Sequence, residues 1–237
     1  MNKSHFYMLL SNGLIAIMLL SLSVLTFVDP IKSVVMENAY KVYYNGDTQR
    51  SNVTLMFNVY WGNEYLDGIL KVLNENEIQT TFFVGGIWVE KYNEEFTKIV
   101  NAGHEIGNHG YFHKSHDGLN YQQNQDEIMS THKLVKELTG INMNLFAPPS
   151  GAYNDTTLQV AQNLGYYTIM WTRDTIDWRD QDANTIYSRA VKNLKNGDLV
   201  LMHPTKATLE ALPRIIDYIK QQKYAIVPVS HNIFGLI

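Results

Sequence analysis

The sequence predicts an α/β fold, an incomplete barrel of parallel strands surrounded by helices, and two observations lead to this class. From Val53 onward, short apolar runs alternate with stretches in which apolar residues recur every three to four positions. Such alternation indicates a parallel sheet, either doubly wound or closed into a barrel. The unusual polar residues also cluster directly after the apolar runs, as catalytic residues do at the carboxyl-terminal rim of a barrel.

The residues after the first apolar run favour the barrel over the doubly wound sheet. A doubly wound sheet carries a glycine-rich phosphate loop at this point, whereas this chain reads Asn58-Val59-Tyr60-Trp61. The predicted strands are the runs 53–57, 80–84, 145–146, 166–171, 199–202 and 225–229.

Local signals predict where several other elements begin and end. Gly140 is a predicted helix C-cap, and Asn154 is a predicted N-cap after a turn. Pro213 is expected near the start of the last helix, where a missing N–H is tolerated. Residues 40–44, followed by Asn45-Gly46, predict a small hairpin ahead of the barrel.

Composition narrows the class of partner and of site. The net charge is −4 and the pI is near 6.0, which argues against a nucleic-acid partner because such proteins favour a basic surface. Cysteine is absent, so the chain has no disulfide framework and no thiolate site. Any metal must therefore be held by nitrogen and oxygen ligands.

The amino-terminal region predicts export and a membrane partner. Residues 6–28 carry no Asp, Glu, Lys or Arg and are rich in Leu, Ile, Met and Val, and roughly 20 apolar residues suffice to span a bilayer. We expect a short cytoplasmic segment over 1–5, an uncleaved signal anchor over 6–28, a linker over 29–50 and a folded domain over 51–237. The alternative is a cleaved signal that releases a secreted domain.

Four short elements carry the candidate chemistry. They contain His109 and His113, the turn 147–151, the acidic and aromatic stretch 174–178, and His203. Each has a simpler explanation when taken alone: a histidine pair is common by chance, Asp174 and Asp177 could be caps or turn residues, and the prolines could form only a rigid turn. Their order, and their position after predicted strands, indicate a metal-dependent hydrolase.

This set of elements resembles the polysaccharide deacetylases, the NodB-homology domain of carbohydrate esterase family 4. The resemblance runs from about Lys41 to Ser230 and includes Thr81–Gly86 and Gly103–His109. It implies an incomplete (β/α) barrel that removes acetyl groups from N-acetylated sugars in peptidoglycan, chitin or a related polymer. The stretch 58–66 is similar to a subgroup associated with sporulating bacteria.

The resemblance also implies roles for single residues. His109 and His113 match the two histidines that hold a divalent metal, usually zinc, with cobalt or nickel as alternatives. His203 matches the histidine that protonates the leaving amine, and Asp174 matches the aspartate that keeps it protonated. The remaining matches concern the substrate. The resemblance implies that the backbone N–H of Ser150, beside Pro149, helps to hold the oxyanion, and that Trp178 and Leu201 form walls of the acetyl pocket.

The departures from the family pattern are concentrated at one place. Thr-Phe-Asp-Asp-Gly aligns with residues 56–60, so that the general base becomes Asn58 and the third metal ligand becomes Val59. The arginine that pairs with the base becomes Ala147. A carboxamide accepts no proton near neutral pH, and a positioned base is typically worth about 10²–10⁴-fold in rate. The loss of the base therefore predicts low activity. Because Val59 has no donor atom, the resemblance also predicts weak or absent metal binding, with Asp177 as a candidate replacement ligand.

Two functions follow from this balance of retained and lost residues. The first is a slow deacetylase that acts on N-acetylated cell-wall glycan, with His203 managing the protons alone. The second is a catalytically inactive protein that binds glycan or has a structural role in the cell envelope or spore.

Overall fold

The computed structural model describes residues 2, 4–5, 12–20 and 40–235. One compact unit of the chain ends at Tyr40 and a second begins at Lys41. In the first unit, residues 12–20 are helical. No helix within the described ranges is both long and apolar enough to cross a membrane. The anchor predicted over 6–28 includes residues 6–11 and 21–28, which lie outside the described residues, and it stays a prediction.

The second unit alternates strands and helices, as its sequence predicts. Its strands are β1 (Val42–Tyr43), β2 (Asn52–Val59), β3 (Thr81–Val84), β4 (Glu105–Asn108), β5 (Leu145–Phe146), β6 (Tyr167–Ile169), β7 (Arg173–Asp174), β8 (Leu199–Met202) and β9 (Ala225–Ile226). Its helices are α1 (Asn63–Glu75), α2 (Gly86–Lys91), α3 (Asn93–Asn101), α4 (Tyr121–Thr139), α5 (Asp155–Asn163), α6 (Ala183–Val191), α7 (Lys206–Gln221) and α8 (Val229–Phe234). Short 3₁₀ turns occur at His116–Gly118 and Pro149–Gly151.

The strands form one parallel sheet that curves into an incomplete barrel. The order is β1-β6-β5-β4-β3-β2-β8-β7, with β9 pairing separately with the start of β2. Every named pair of strands is parallel. The order ends at β1 on one side and β7 on the other, so the barrel is open, which confirms the predicted fold class.

Two apolar layers hold the barrel together, and β2 contributes to both. Met56 packs in the small inner cluster, whereas Phe57 and Val59 pack in the large outer cluster between sheet and helices. Because successive side chains of a strand point to opposite faces, Asn58 shares the inner face with Met56. The inner face leads to the rim where the chemistry is expected.

The helix ends were predicted correctly at two positions. Gly140 ends α4 with a φ of 76°, the left-handed conformation that glycine adopts without a steric penalty. Asn154 caps α5 by accepting a hydrogen bond from the N–H of Thr157 at 3.0 Å. Pro213, in contrast, lies in the interior of α7, which begins after Thr205. The face of α7 that includes Ile215, Ile216 and Ile219 is buried. The free energy of this burial compensates for the hydrogen bond that the proline cannot donate.

The predicted hairpin over residues 40–46 is wrong. Val42 and Tyr43 instead pair in parallel with Thr168 and Ile169 of β6, and the N–H of Gly46 donates to the carbonyl of Gly197 at 2.7 Å. Partners far away in the chain therefore satisfy the hydrogen bonds of this segment, and a local pattern does not reveal them.

Strands β4 and β7 were also missed, because neither has an apolar run. In β4, a Cβ atom on Gly107 would lie 2.3 Å from the ring of Phe83. The glycine therefore permits close packing of β4 on β3, a signal that only the neighbouring strand explains.

Candidate active site

The rim of the barrel forms a cavity of about 320 Å³ at the ends of β2, β4, β5, β7 and β8. It brings together eight of the residues singled out from the sequence: Asn58, His109, His113, Ser150, Asp174, Trp178, Leu201 and His203. Pro149 is buried beside Ser150. Ser150 itself is exposed and has a φ of 57°. This left-handed conformation turns the chain at the edge of the cavity.

The two histidines of the pair lie next to each other, one buried and one in a strained loop. His109 directly follows β4 and is 1% exposed, and its ring centroid is 5.0 Å from that of His113. Nδ1 of His109 lies 2.7 Å from the carbonyl oxygen of Ala147. Because a carbonyl only accepts, Nδ1 carries the hydrogen and Nε2 keeps its lone pair.

Burial favours the uncharged form of both imidazoles. It lowers the pKa of His109 well below 6.5, and repulsion from His113 lowers it further. Burial likewise lowers the pKa of His113, although a hydrogen bond to its own backbone opposes this shift. Neutral imidazole is the form that binds divalent metals.

Glu127 on α4 positions the loop between the two histidines. Its carboxylate, 3% exposed, accepts hydrogen bonds from the N–H groups of Tyr111 at 2.9 Å and Phe112 at 2.8 Å. Lys114 lies 3.2 Å from the same carboxylate. His113 follows this anchored segment with a φ of 56°, a left-handed conformation that is unfavourable for a residue with a Cβ atom. The sequence offered one signal for Glu127, its place on the apolar face of α4 one residue before Ile128.

The partner of His203 is Asp177, and the prediction of Asp174 for this role is wrong. Nδ1 of His203 lies 2.7 Å from Oδ1 of Asp177, and the N–H of His203 donates to Oδ2 at 2.6 Å. The hydroxyl of Thr208 also donates to this fully buried carboxylate. Asp174 instead accepts from the N–H of Ile176 at 2.8 Å and lines the cavity.

The reason for this exchange lies in the loop between the two aspartates. Asp174 is part of β7, and Ile176 then takes a φ of 54°. This turn directs Asp177 towards the start of α7, where Thr208 and His203 meet it. Asp177 is therefore a site residue that the sequence analysis assigned only as a turn residue or a replacement metal ligand.

The donor atoms around the histidine pair do not fit a divalent metal site. Val59 is fully buried in the outer apolar layer and offers no donor. Asp177 is engaged by His203 and Thr208, so the prediction that it replaces the missing ligand is wrong. Across the described part of the chain, no group of three or more His, Asp or Glu side chains is placed to hold a metal. Two imidazoles alone fall short of the three protein ligands of a catalytic zinc site.

Asn58 and Ala147 occupy the predicted positions of the base and its arginine. Asn58 is 4% exposed, and its carboxamide oxygen has no hydrogen-bond partner among the described residues. Ala147 is fully buried in the inner apolar cluster. An unsatisfied buried carboxamide is less unfavourable than an unpaired buried carboxylate, so the two substitutions are physically consistent with each other.

Aromatic side chains to which the sequence analysis gave no site role, Tyr60, Trp61 and Trp171, join Trp178 around this cavity. The indole of Trp61 stacks on the imidazole of His203, with ring centroids 5.7 Å apart and an interplanar angle of 4°. Trp61 and Trp178 are 42% and 52% exposed, although both line the cavity together with Tyr60 and Trp171. Large aromatic surfaces that remain open at a cavity mouth are typical of a ligand-binding site. Only the proximity of Trp61 to Asn58 in sequence could have indicated its role.

Comparison with known proteins identifies what the chain is similar to. The family model described as polysaccharide deacetylase matches residues 45–169, more than half of the chain. The Bacillus subtilis protein YlxY, whose function is uncharacterised, is 35% identical over 79% of this chain and 59% of its own length. This chain thus spans less than two thirds of that relative. A peptidoglycan-N-acetylglucosamine deacetylase of Bacillus cereus is 31% identical over 70% of this chain and 80% of its own.

The solved structures that are similar to this chain include proteins of carbohydrate esterase family 4. A CE4 family pseudoenzyme from Bacillus anthracis superposes with a TM-score of 0.81 and 34% identity, over 83% of this chain and 70% of its own. A mutant of that pseudoenzyme, with restored enzymatic activity, superposes with the same TM-score and 33% identity. The structural neighbours of this chain therefore include a protein that lost its activity and regained it by mutation.

Proposed function

Because the chain belongs to the polysaccharide deacetylase family, we propose that it binds N-acetylated cell-wall glycan in the cavity at the rim of the barrel without deacetylating it efficiently. The observation that carries this proposal is the combination of an open aromatic cavity with Asn58 in place of the base. The members of the family depend on a metal in general, whereas among the described residues His109 and His113 belong to no group of three or more His, Asp or Glu side chains that could hold one.

The size and lining of the cavity support a sugar ligand. A volume of about 320 Å³ lies at the lower end of the range for small-molecule sites. Trp61 and Trp178 present apolar faces at its mouth, whereas Asn58, Asp174 and His203 supply polar groups inside. This mixture of flat apolar surface and a few polar groups suits a ring that has apolar faces and polar edges.

Loss of the base accounts for the low activity that we propose. The carboxamide of Asn58 takes no proton near neutral pH. The loss of a positioned base lowers the rate by about 10²–10⁴-fold, which corresponds to roughly 3–5 kcal/mol of activation free energy. Without a carboxylate at Val59, zinc, cobalt or nickel would bind weakly or not at all. We propose peptidoglycan as the glycan, because several relatives are named peptidoglycan deacetylases. Chitin-like oligomers are the alternative.

The place of action in the cell is part of the proposal. The apolar stretch over residues 6–28 supports export, with the domain anchored on the extracytoplasmic face or secreted if the signal is cleaved. This location would put the cavity next to the cell wall. The sporulation-associated subgroup suggested by residues 58–66 remains a prediction.

A slow deacetylase is the second candidate, and one observation favours it. The His203–Asp177 pair is intact, with Nδ1 of His203 held by the carboxylate at 2.7 Å. Nε2 of His203 is then the ring nitrogen left to serve the cavity, and it could accept and return a proton in turn.

One experiment separates the two candidates. The full chain is incubated with N-acetylglucosamine oligomers and with peptidoglycan, with added zinc or cobalt and again with a chelator, and both acetate release and glycan binding are measured. Binding without release supports the proposed function. Metal-dependent release establishes the slow deacetylase instead, and neither binding nor release would overturn both and leave a structural role.

A further inference from the structure

Tyr60 lies beside the histidine pair at the position where the family pattern has glycine. It directly follows β2 and lines the same cavity as His109 and His113. Its ring centroid is 4.7 Å from that of His113, with an interplanar angle of 35°. At this separation the two rings are in direct contact, so the phenol occupies space next to His113.

The ring of Tyr60 also lies against the chain directly after β3. A Cβ atom on Gly85 would lie 2.4 Å from Cδ2 of Tyr60, so the ring rests on the bare backbone of this glycine. The backbone itself is in place, because the N–H of Gly85 donates to the carbonyl of Val59 at 3.0 Å. Tyr60 thus contacts both Gly85 and His113.

A hydrogen bond connects Tyr60 to the loop that carries the second histidine. Its hydroxyl donates to the carbonyl of Phe112 at 3.2 Å, and the N–H of Phe112 donates to Glu127 at 2.8 Å. The loop is therefore held from two directions just before His113. The orientation of His113 is set by its protein neighbours, with no contribution required from a metal.

Three protein ligands of the right type are not sufficient to make a catalytic metal site. Ligand orientations must be held within about 10–20°, and one coordination position must stay open for water or substrate. The phenol of Tyr60 occupies cavity space next to His113 that a glycine would leave free. Ring contact and hydrogen bond together hold His113 in an arrangement that serves packing.

We propose that Tyr60 is a second determinant that keeps metal off the histidine pair, coupled to the missing carboxylate at Val59. Because Val59 packs in the outer apolar layer, a carboxylate restored at position 59 reaches the histidine pair only if the end of β2 rearranges, and removal of the phenol provides the room for this. The inference rests on the proposed function only in its premise that this chain lacks a working metal centre.

The test is a double-mutant cycle on zinc affinity, because coupled residues depart from additivity. The full-length wild type, Val59→Asp, Tyr60→Gly and the double variant are titrated with zinc against a chromophoric chelator. Cobalt absorption spectra then report the coordination geometry. We expect the double variant to bind zinc at least tenfold more tightly than Val59→Asp, and Tyr60→Gly alone to remain as weak as the wild type because it has only two ligands.

A matched control separates the ring from the hydroxyl. Val59→Asp combined with Tyr60→Phe keeps the aromatic ring and loses the hydrogen bond to Phe112, and it should bind zinc like Val59→Asp. Circular dichroism verifies folding of each variant. If a carboxylate at position 59 unfolds the domain, the comparison is made with and without Tyr60→Gly in the background Val59→Asn, which supplies an oxygen donor without a buried charge.

Equal zinc affinity with and without Tyr60→Gly, whether both are tight or both are negligible, would overturn the inference. No glycan is present in this titration, so its result is independent of glycan binding by the wild type. Wild-type protein that binds no glycan overturns the proposed function and leaves the coupling between positions 59 and 60 as measured.

Discussion

The carboxylate of Asp177, fully buried, supports His203 through both the ring and the backbone of that histidine, at 2.7 and 2.6 Å. Together with the hydroxyl of Thr208, these contacts satisfy a charge that would otherwise be costly inside the protein. The arrangement fixes the imidazole at the edge of the cavity, whether the domain turns over glycan or only binds it.

The first prediction concerns this pair. Asp177→Ala should lower the free energy of unfolding by roughly 3 kcal/mol, because it leaves buried donors of His203 and Thr208 without an acceptor. Asp174→Ala, three residues away, should lower it by no more than about 1 kcal/mol. Urea denaturation of both variants measures the difference. Equal losses would mean that Asp174 also supports His203.

The second prediction is pH-dependent stability from buried histidines. Burial lowers the pKa of His104 from 6.5 to about 4, and the pKa of His109 is also lowered, chiefly by burial. The unfolded chain then binds more protons than the folded one below pH 6.5, so stability should fall as the pH decreases from there towards about 4.

Urea denaturation at several pH values measures this slope. His104→Gln should make it shallower, because it removes one group that is neutral when folded and charged when unfolded. A slope of the opposite sign would contradict the assignment.

The third prediction concerns Glu127. Glu127→Ala removes the acceptor of the Tyr111 and Phe112 N–H groups, so amide hydrogen exchange at these two residues should accelerate. Stability should fall by about 1–3 kcal/mol because buried donors lose their partner. Glu90→Ala removes only the exposed acceptor of the Tyr111 hydroxyl, and it should change stability by less than about 0.5 kcal/mol. Unchanged exchange in Glu127→Ala would show that the loop is held by other contacts.

The fourth prediction concerns the aromatic mouth of the cavity. Trp61→Ala and Trp178→Ala should each weaken binding of N-acetylglucosamine oligomers by about 2–12-fold, the equivalent of roughly 0.5–1.5 kcal/mol for an aromatic contact. Phe112→Ala is the control, since Phe112 is 51% exposed and does not line the cavity. Calorimetric titration measures all three. An equal loss for Phe112→Ala would place the glycan on another part of the surface.

The fifth prediction is the recovery of activity. Asn58→Asp, Val59→Asp, Ala147→Arg and Tyr60→Gly together should release acetate about 10²–10⁴-fold faster than Val59→Asp with Tyr60→Gly, the usual effect of adding a positioned base. Without Tyr60→Gly, the other three substitutions should release acetate only marginally. Acetate release with added zinc measures all three variants. Asn58→Asp alone should be inactive and destabilised, because its buried carboxylate has no arginine partner. No gain in the fourfold variant would show that the cavity has diverged beyond these positions.

The sequence by itself determined the barrel, most of its strands, and the placement of Asn58 and His203 at strand ends. These features depend on local patterns: apolar runs, caps such as Asn154, and motifs whose order along the chain equals their order around the rim. The losses at Asn58, Val59 and Ala147 could be read directly, because each is a substitution within a motif.

The tertiary structure alone decided which groups touch. Asp177 rather than Asp174 meets His203 because the chain turns at Ile176, and a spacing of three residues cannot reveal the direction of that turn. The parallel pairing of β1, the burial of β4 and the support from Glu127 depend on partners far away in sequence. The same holds for the phenol of Tyr60 against Gly85 and His113, since contacts between side chains on different strands are determined by packing, and local sequence carries no record of them.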